Sequence, residues 1–447
     1  MDSQVTRRQF FSAGAALVSA ASLCQAQQGL SSIASPADFV IRISEIDVEL
    51  GPKLSVKTLA YNGQVPGPLL HMTEGNTVAV DVVNETHEPE MVHWHGFFIP
   101  PDVDGSHEEG TPMVQAHDQR RYVFTPQPTG TRWYHTHAIA GHNLRKGLYS
   151  GQFGMAVVEP RENPARYDLE IPLILHEWQP YFSGDNGMEI DFKVFTINDK
   201  VLGAGEPVRV RNGQRVLFRI LNASATLPHR VALAGHLFQV VALDGNAVTL
   251  SKNVPVIELA PGERVDAIVE MKSPGVWVLG EEDDMQRSAG AGIVIEYANA
   301  PGPPRWIKPT PFVWDYTAFG GQAKPENPEV KIPMVFEQDP SGRGWTINGK
   351  VFPNTDIINL PAGKHIRLIL DNRTATPHPM HLHRHTFEIT KFAGRSVSGV
   401  LKDVILVPPR NTVEVDFLAN HPGPALFHCH QQFHMDFGFM TLMQYSS

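Results

Sequence analysis

The chain has 447 residues, 42% hydrophobic and 19% charged, with a formal net charge of −10. This is the composition of a globular protein of roughly two to four domains that can bury a sizeable core. It has no lysine or arginine run, which excludes nucleic acid and an anionic membrane surface as natural partners and leaves a neutral or cationic small substrate.

The first element in chain order is a leader. Paired arginines in "TRRQFF" (Thr6 to Phe11) precede an apolar stretch from Phe10 to Leu23, and "CQA" ends at Ala26. Residues 1–26 thus read as a cleaved twin-arginine export signal, and the mature protein is expected to be periplasmic or secreted. Ala21 stands where a lipoprotein signal wants leucine, so Cys24 is not read as an anchor. No later apolar run is long enough to span a bilayer, so no membrane partner is expected after cleavage. The mature chain then holds one cysteine, Cys429, which can form no internal disulfide. A lone thiol in an oxidising compartment needs an explanation, and a metal–thiolate bond supplies one.

The rest of the chain is a module repeated three times. Segments starting at Tyr61, Ile197 and Ile347 share an order: a turn, an extended stretch, a glycine (Gly75, Gly213, Gly363), then a strand ending in Asn. Each copy also has a later turn-then-strand element, "PTGTRWYHTH", "SPGVWVLGEE" and "GPALFHCH". The strands alternate or are β-branched, and long helical periodicity is scarce. The reading is all-β, with three Greek-key β-sandwich domains at residues 38–160, 168–299 and 312–447, separated by proline-rich connectors.

Four histidine clusters fall on predicted strands: "HWHG", "WYHTH", "HPMHLH" and "HCH". Residues i and i+2 of a strand share a face, so each H-x-H is a two-toothed metal claw. The eight teeth are His93, His95, His135, His137, His381, His383, His428 and His430, enough for several metal ions. Cys429 lies between His428 and His430 and must face the other way, toward a second site. His434, brought round by a turn, and His378 are its candidate partners. Two imidazoles and a thiolate with a weak or absent axial ligand describe a blue-copper electron-transfer centre. The repeat supports this division. Copy one has Thr136 where copy three has Cys429, and copy two has Ala232 and Ala234 where copy three has His381 and His383. Copy two is therefore expected to be a spacer, with the cluster between copies one and three.

With these four motifs on the page, the mature chain closely resembles the multicopper oxidases, in particular their three-domain, laccase-like branch. The resemblance implies cupredoxin-like domains and four copper ions. It assigns a type 1 copper to His378, Cys429 and His434, a type 2 copper to His93 and His381, and a type 3 pair to His95, His135, His137, His383, His428 and His430. It also implies that electrons taken at type 1 reduce dioxygen to water at the cluster, with Asp104 as an acid beside it. Departures from the family are expected to matter. The axial position, ten residues after the cysteine, is Phe439, unless Met435 or Met440 takes its place through a register shift. Gln431 and Gln432 stand where relatives carry an acid, for which Glu108, Glu109 or Asp436 are substitutes. Arg384 stands where relatives often carry glycine.

The expected reductants are phenols or aromatic amines, with a metallo-oxidase acting on Cu(I) or Fe(II) as the alternative and a non-catalytic copper-binding scaffold as the third reading. The acidic run Glu281 to Met285 is a candidate cation holder, although such runs are more often solvated loops. A monomer is expected.

Overall fold

The computed structural model describes residues 36–162, 167–184, 189–322, 326–342 and 344–446; the predicted leader and Cys24 lie outside them. Six sheets follow one another in pairs along the chain. The strands of the first pair run from Phe39–Gly51 to Phe153–Glu159, those of the second from Leu169–Ser183 to Gly292–Tyr297, and those of the third from Val330–Gln338 to Met440–Ser446.

The repeat read in the sequence is a repeat of strand pairing. In each pair of sheets the opening strand lies parallel to the strand after the anchoring glycine: Phe39–Gly51 beside Val78–Asn84, Leu169–Ser183 beside Arg215–Asn222, and Val330–Gln338 beside His365–Asn372. In the facing sheet a short strand runs parallel to the last one, as Leu70–Thr73 with Phe153–Glu159 and Ile358–Pro361 with Met440–Ser446. Gly75, Gly213 and Gly363 have φ of 75°, 82° and 74°. That is the left-handed region, where a Cβ is penalised, which explains a glycine at the same point of every copy.

Val78–Asn84 alternates buried and half-buried side chains, as a strand with one face on a core should. Its inward residues Val80 and Val82 join Trp94, Tyr134 and Ala156 of the facing sheet in one apolar cluster. Arg215–Asn222 is buried on both faces, because the middle sheets are covered by their neighbours as well as by each other. Among the described residues no helix is long and apolar enough to cross a membrane.

Candidate metal centres

The claws come from two antiparallel strand pairs. Val92–His95 and Gly130–Thr136 set His93 opposite His135, and His378–Leu382 and Ala425–Cys429 set His381 opposite His428. The two sets face each other. His93 stacks on His383 with ring centroids 4.0 Å apart, and His95 stacks on His381 at 3.8 Å. All eight imidazoles are buried.

Their hydrogen bonds leave the inward nitrogens free. Nδ1–H of His93, His135, His381 and His428 donates to the carbonyls of Asp104, Thr136, Asp403 and Cys429 at 2.7–2.9 Å. This fixes the tautomer with the Nε2 lone pair pointing inward. His95 is reversed: its Nε2 meets Asp403 Oδ1 at 3.1 Å, which leaves Nδ1 for the interior. Nε2 of His93, His135, His137 and His381 is buried without any partner, and Nε2 of His383 faces Nε2 of His428 at 3.1 Å. An unpartnered buried polar atom costs about 1–3 kcal/mol, so convergent orphaned donors fit a site built for cations. Burial first, and then the neighbouring imidazoles, hold His95, His135, His381, His383 and His428 well below the ordinary histidine value. His137 is lowered to about 4 and His430 to about 3. These seven are thereby kept in the neutral form that binds metal.

The second centre lies on the other face of Ala425–Cys429. Cys429 Sγ is 3.4 Å from His434 Nδ1 and 4.0 Å from His378 Nδ1. His434 arrives on the short helix Gln432–Asp436, and His378 is oriented by Thr374 Oγ1, 2.8 Å from its Nε2. Burial pushes the Cys429 thiol up and the His378 imidazole down to about 3. The pocket therefore disfavours a free thiolate, and a bound cation would stabilise one. Phe439 is fully buried with its ring 4.9 Å from that of His378, whereas Met435 and Met440 pack with Leu426 in a separate cluster. Met440 pairs with His428 in the strand register, so its side chain leaves the sheet on the face opposite Cys429.

The acids sort by distance. Asp104 Oδ2 lies 2.9 Å from His383 Nδ1 and 3.3 Å from His93 Nδ1, while Oδ1 has no partner. Glu109 Oε1 is 3.2 Å from the same His383 nitrogen; burial, then the Asp104 charge, raise its carboxyl well above the usual range. Asp436 accepts from Ala140 N, Gly141 N and Gln432 Nε2, and burial raises it to about 7. Gln432 in turn lines a cavity of about 10 Å³ at His135, His137, His428 and His430, barely the size of one water. Glu108 accepts from Ser106 Oγ, and its charge acts on His137 and on Asp436.

Arg384 does not point a free charge at the cluster. Its guanidinium donates to the carbonyls of Ile99, His421, Pro422 and Gly423, with Nε 3.7 Å from Glu109 Oε2. It ties the first set of claws to the second. The acidic run from Glu281 is equally structural: Glu281 is buried against His229, Asp283 caps the helix Asp284–Ser288, and Asp284 pairs with Arg287.

Sequence reasoning missed the middle copy's hand in the cluster. Asp403, whose carboxylate meets His95, is clamped by both terminal nitrogens of Arg264, at 2.5 and 2.6 Å, with Arg132 at 3.4 Å. Arg264 belongs to the middle sheets, so the middle copy is more than a spacer. The strand register, with His229 in the place of His378, puts Asp403 where copy two has Pro255, so copy two carries no acid at this point. Also missed was Trp345, which covers His434 with ring centroids 3.5 Å apart.

The comparisons agree with this architecture. Residues 42–163, 176–296 and 325–447 match three multicopper oxidase family descriptions. The multicopper oxidase MmcO of Mycobacterium tuberculosis is 28% identical over 440 residues, covering 89% of this chain and 85% of its own. The crystal structure of a multi-copper oxidase from Pseudomonas thermotolerans is 26% identical with a TM-score of 0.72, covering 92% of this chain and all of its own. That of Fet3p, described as a multicopper oxidase that functions in iron import, shares the fold at 18% identity with a TM-score of 0.79, covering 91% and 90%. With three matched modules, a cupredoxin-like all-β fold and a site of convergent imidazoles, the chain belongs to the multicopper oxidases, copper-dependent oxidoreductases of three domains.

Proposed function

We propose that this oxidase takes single electrons from phenols or aromatic amines beside His434 and delivers them to dioxygen at the eight-histidine cluster. In this reading His378, Cys429 and His434 hold the type 1 copper. His93 and His381 hold type 2, and His95, His135, His137, His383, His428 and His430 hold the type 3 pair. The four ions, when bound, supply one-electron acceptance at the thiolate and four-electron reduction of dioxygen to water at the cluster. Cys429 is joined to both His428 and His430 by the backbone, a short covalent route between the two centres. Glu109, next to Asp104, holds a proton at His383, and Asp436 with Gln432 holds a further one near the small cavity.

The observation that carries the choice of reductant is a cavity of about 410 Å³ that reaches His434 and is lined by Trp345, Phe433, Leu227 and Pro228. Flat apolar walls and a ligand histidine at the floor suit an aromatic ring. A larger cavity of about 640 Å³ on the middle sheets, around His236, holds none of the site residues. Glu189 and Asp191 also line the His434 cavity, and these favour a second reading in which a cation such as Fe(II) or Cu(I) is the reductant. Dioxygen uptake by the copper-loaded, leader-free protein decides between them. Prompt uptake with a methoxyphenol supports the first reading; uptake with ferrous or cuprous ion alone replaces it with the second. The leader reading places this activity in the periplasm or outside the cell as a monomer, which cell fractionation and light scattering test.

A further inference from the structure

His87 and His117 lie in the first sandwich, in the two segments that follow Val78–Asn84 and precede Gln119–Phe124. Both are exposed, yet His87 Nδ1 and His117 Nε2 are 3.0 Å apart, with the rings 4.8 Å apart and nearly perpendicular. The segments that carry them are fastened together. The fully buried Asn84 amide donates to the carbonyls of Glu88, Val114 and Gln115 at 2.8–3.1 Å. Glu90 and Val114 exchange backbone hydrogen bonds, and Asn84 N donates to Asp118 O.

His117 itself has φ of 57°, at a turn closed by Asp118 N to Gln115 O. A left-handed backbone costs a residue with a Cβ about 1–2 kcal/mol, and glycine or asparagine would occupy it more cheaply. A water-exposed imidazole–imidazole hydrogen bond returns at most about 1 kcal/mol, so stability gives little reason for two exposed histidines to meet at this point.

Chelation explains it. With metal–nitrogen bonds of about 2.0 Å, two ligands at a right angle have nitrogens about 2.9 Å apart, and two in line about 4 Å. At the tetrahedral angle the separation is about 3.3 Å, so the observed 3.0 Å is nearest the right angle of tetragonal Cu(II) or Ni(II) and farthest from a linear two-coordinate ion. His117 borders an open cavity of about 330 Å³ with Glu85 and Asp118, so water can complete the shell. The surrounding charges comprise Glu85, paired with Arg42, Glu88, paired with Lys146, and Asp118. We propose that His87 and His117 form a surface chelate for a tetragonal divalent cation of the copper(II) or nickel(II) class, separate from the buried centres and independent of how those are assigned. For a neutral pair, the ring that carries the shared proton changes tautomer on binding, from His117 Nε2 to Nδ1 or from His87 Nδ1 to Nε2, and no oxidant or reductant is needed.

The test is calorimetric titration with Ni(II) of the leader-free protein with copper in its buried centres, after exposed copper has been stripped by dialysis against a mild chelator. The expected result is a binding event that weakens at least tenfold in His87→Ala and in His117→Asn, while His71→Ala leaves it unchanged. Asparagine tolerates the left-handed backbone, so the second variant keeps the turn and removes only the ligand. Oxidase activity is expected to be unaffected by all three. Absence of binding by the unaltered protein, or an unchanged isotherm in His87→Ala or His117→Asn, would overturn the proposal.

Discussion

Replacing Asp403 by asparagine tests how the middle domain supports the cluster. The Asp403 carboxylate sits among Arg132, Arg264 and Lys402 on one side and Asp244 and Glu263 on the other, all fully or almost fully buried. Three cations meet three anions, so the neutral amide leaves one positive charge uncompensated. Burial works against the Arg264 charge, but Asp403 and Asp244 outweigh it and hold the guanidinium above its ordinary value. An amide can accept at only one of the two positions: Oδ1, which meets both His95 Nε2 and Arg264 Nη1, or Oδ2, which meets Arg264 Nη2. With its oxygen at Oδ1 the NH2 is set against Arg264 Nη2; with its oxygen at Oδ2 the NH2 faces His95 Nε2, which must then accept, and the imidazole proton moves to Nδ1, the nitrogen needed for metal. Losing such a support typically costs 10–100-fold in metal affinity, or about 1.4–2.7 kcal/mol. Breaking the buried pair adds a stability cost of about 3–5 kcal/mol. The assay is copper retained by the folded protein against a graded series of chelator concentrations. Arg264→Lys, which keeps charge but loses the two-pronged grip, is expected to fall between Asp403→Asn and the unaltered protein. Folded Asp403→Asn protein that retains copper as well as the parent would refute the reasoning.

Other perturbations read different parts of the structure. Glu189→Gln with Asp191→Asn removes two charges from the His434 cavity; KM for a cationic arylamine should rise a few-fold, within the roughly 1 kcal/mol of exposed charge pairs, with KM for a neutral phenol unchanged. Phe439→Met places a thioether where the buried ring now lies beside His378, and it should lower the type 1 potential in a redox titration; an unchanged potential would show that this position does not face the copper. In the middle domain, His229 is held between Glu177 and Glu281 and its value is raised to about 10, because these carboxylates outweigh burial. This lies above the ordinary 6.5, so its stabilisation is complete below that pH and fades as pH rises through 10. His229→Gln should therefore destabilise the protein by about 3–5 kcal/mol at neutral pH. In denaturant titrations the gap from the parent should narrow above pH 10; a gap that does not depend on pH would contradict the ion-pair reading.

Much of the candidate site was legible because a strand has period two. H-x-H reads directly as one face, and the intervening Cys429 as the other, without any knowledge of contacts. The repeat added the location, since only copies one and three carry claws. What stayed hidden was set by long-range packing. Asp403 reaches His95 across 308 residues and Arg264 across 139, and nothing local in "LKDVIL" announces either contact. The role of Arg384 was hidden for the same reason, since its carbonyl partners at Ile99 and His421 to Gly423 are not its sequence neighbours. Phe439 could not be separated from Met435 and Met440 until the register of Met440–Ser446 against Ala425–Cys429 was in hand. The acidic run after Gly280, read in the sequence as more often a loop than a cation holder, has its carboxylates taken up by His229, a helix cap and Arg287.

The most direct test of the two-centre account is Cys429→Ser in the copper-loaded protein, with visible absorption, copper content and dioxygen uptake measured on one sample. The account expects the blue absorption and reductant-driven uptake to vanish while copper remains at the eight-histidine cluster. A serine variant that stays blue and still consumes dioxygen with a phenol or a metal ion would contradict it.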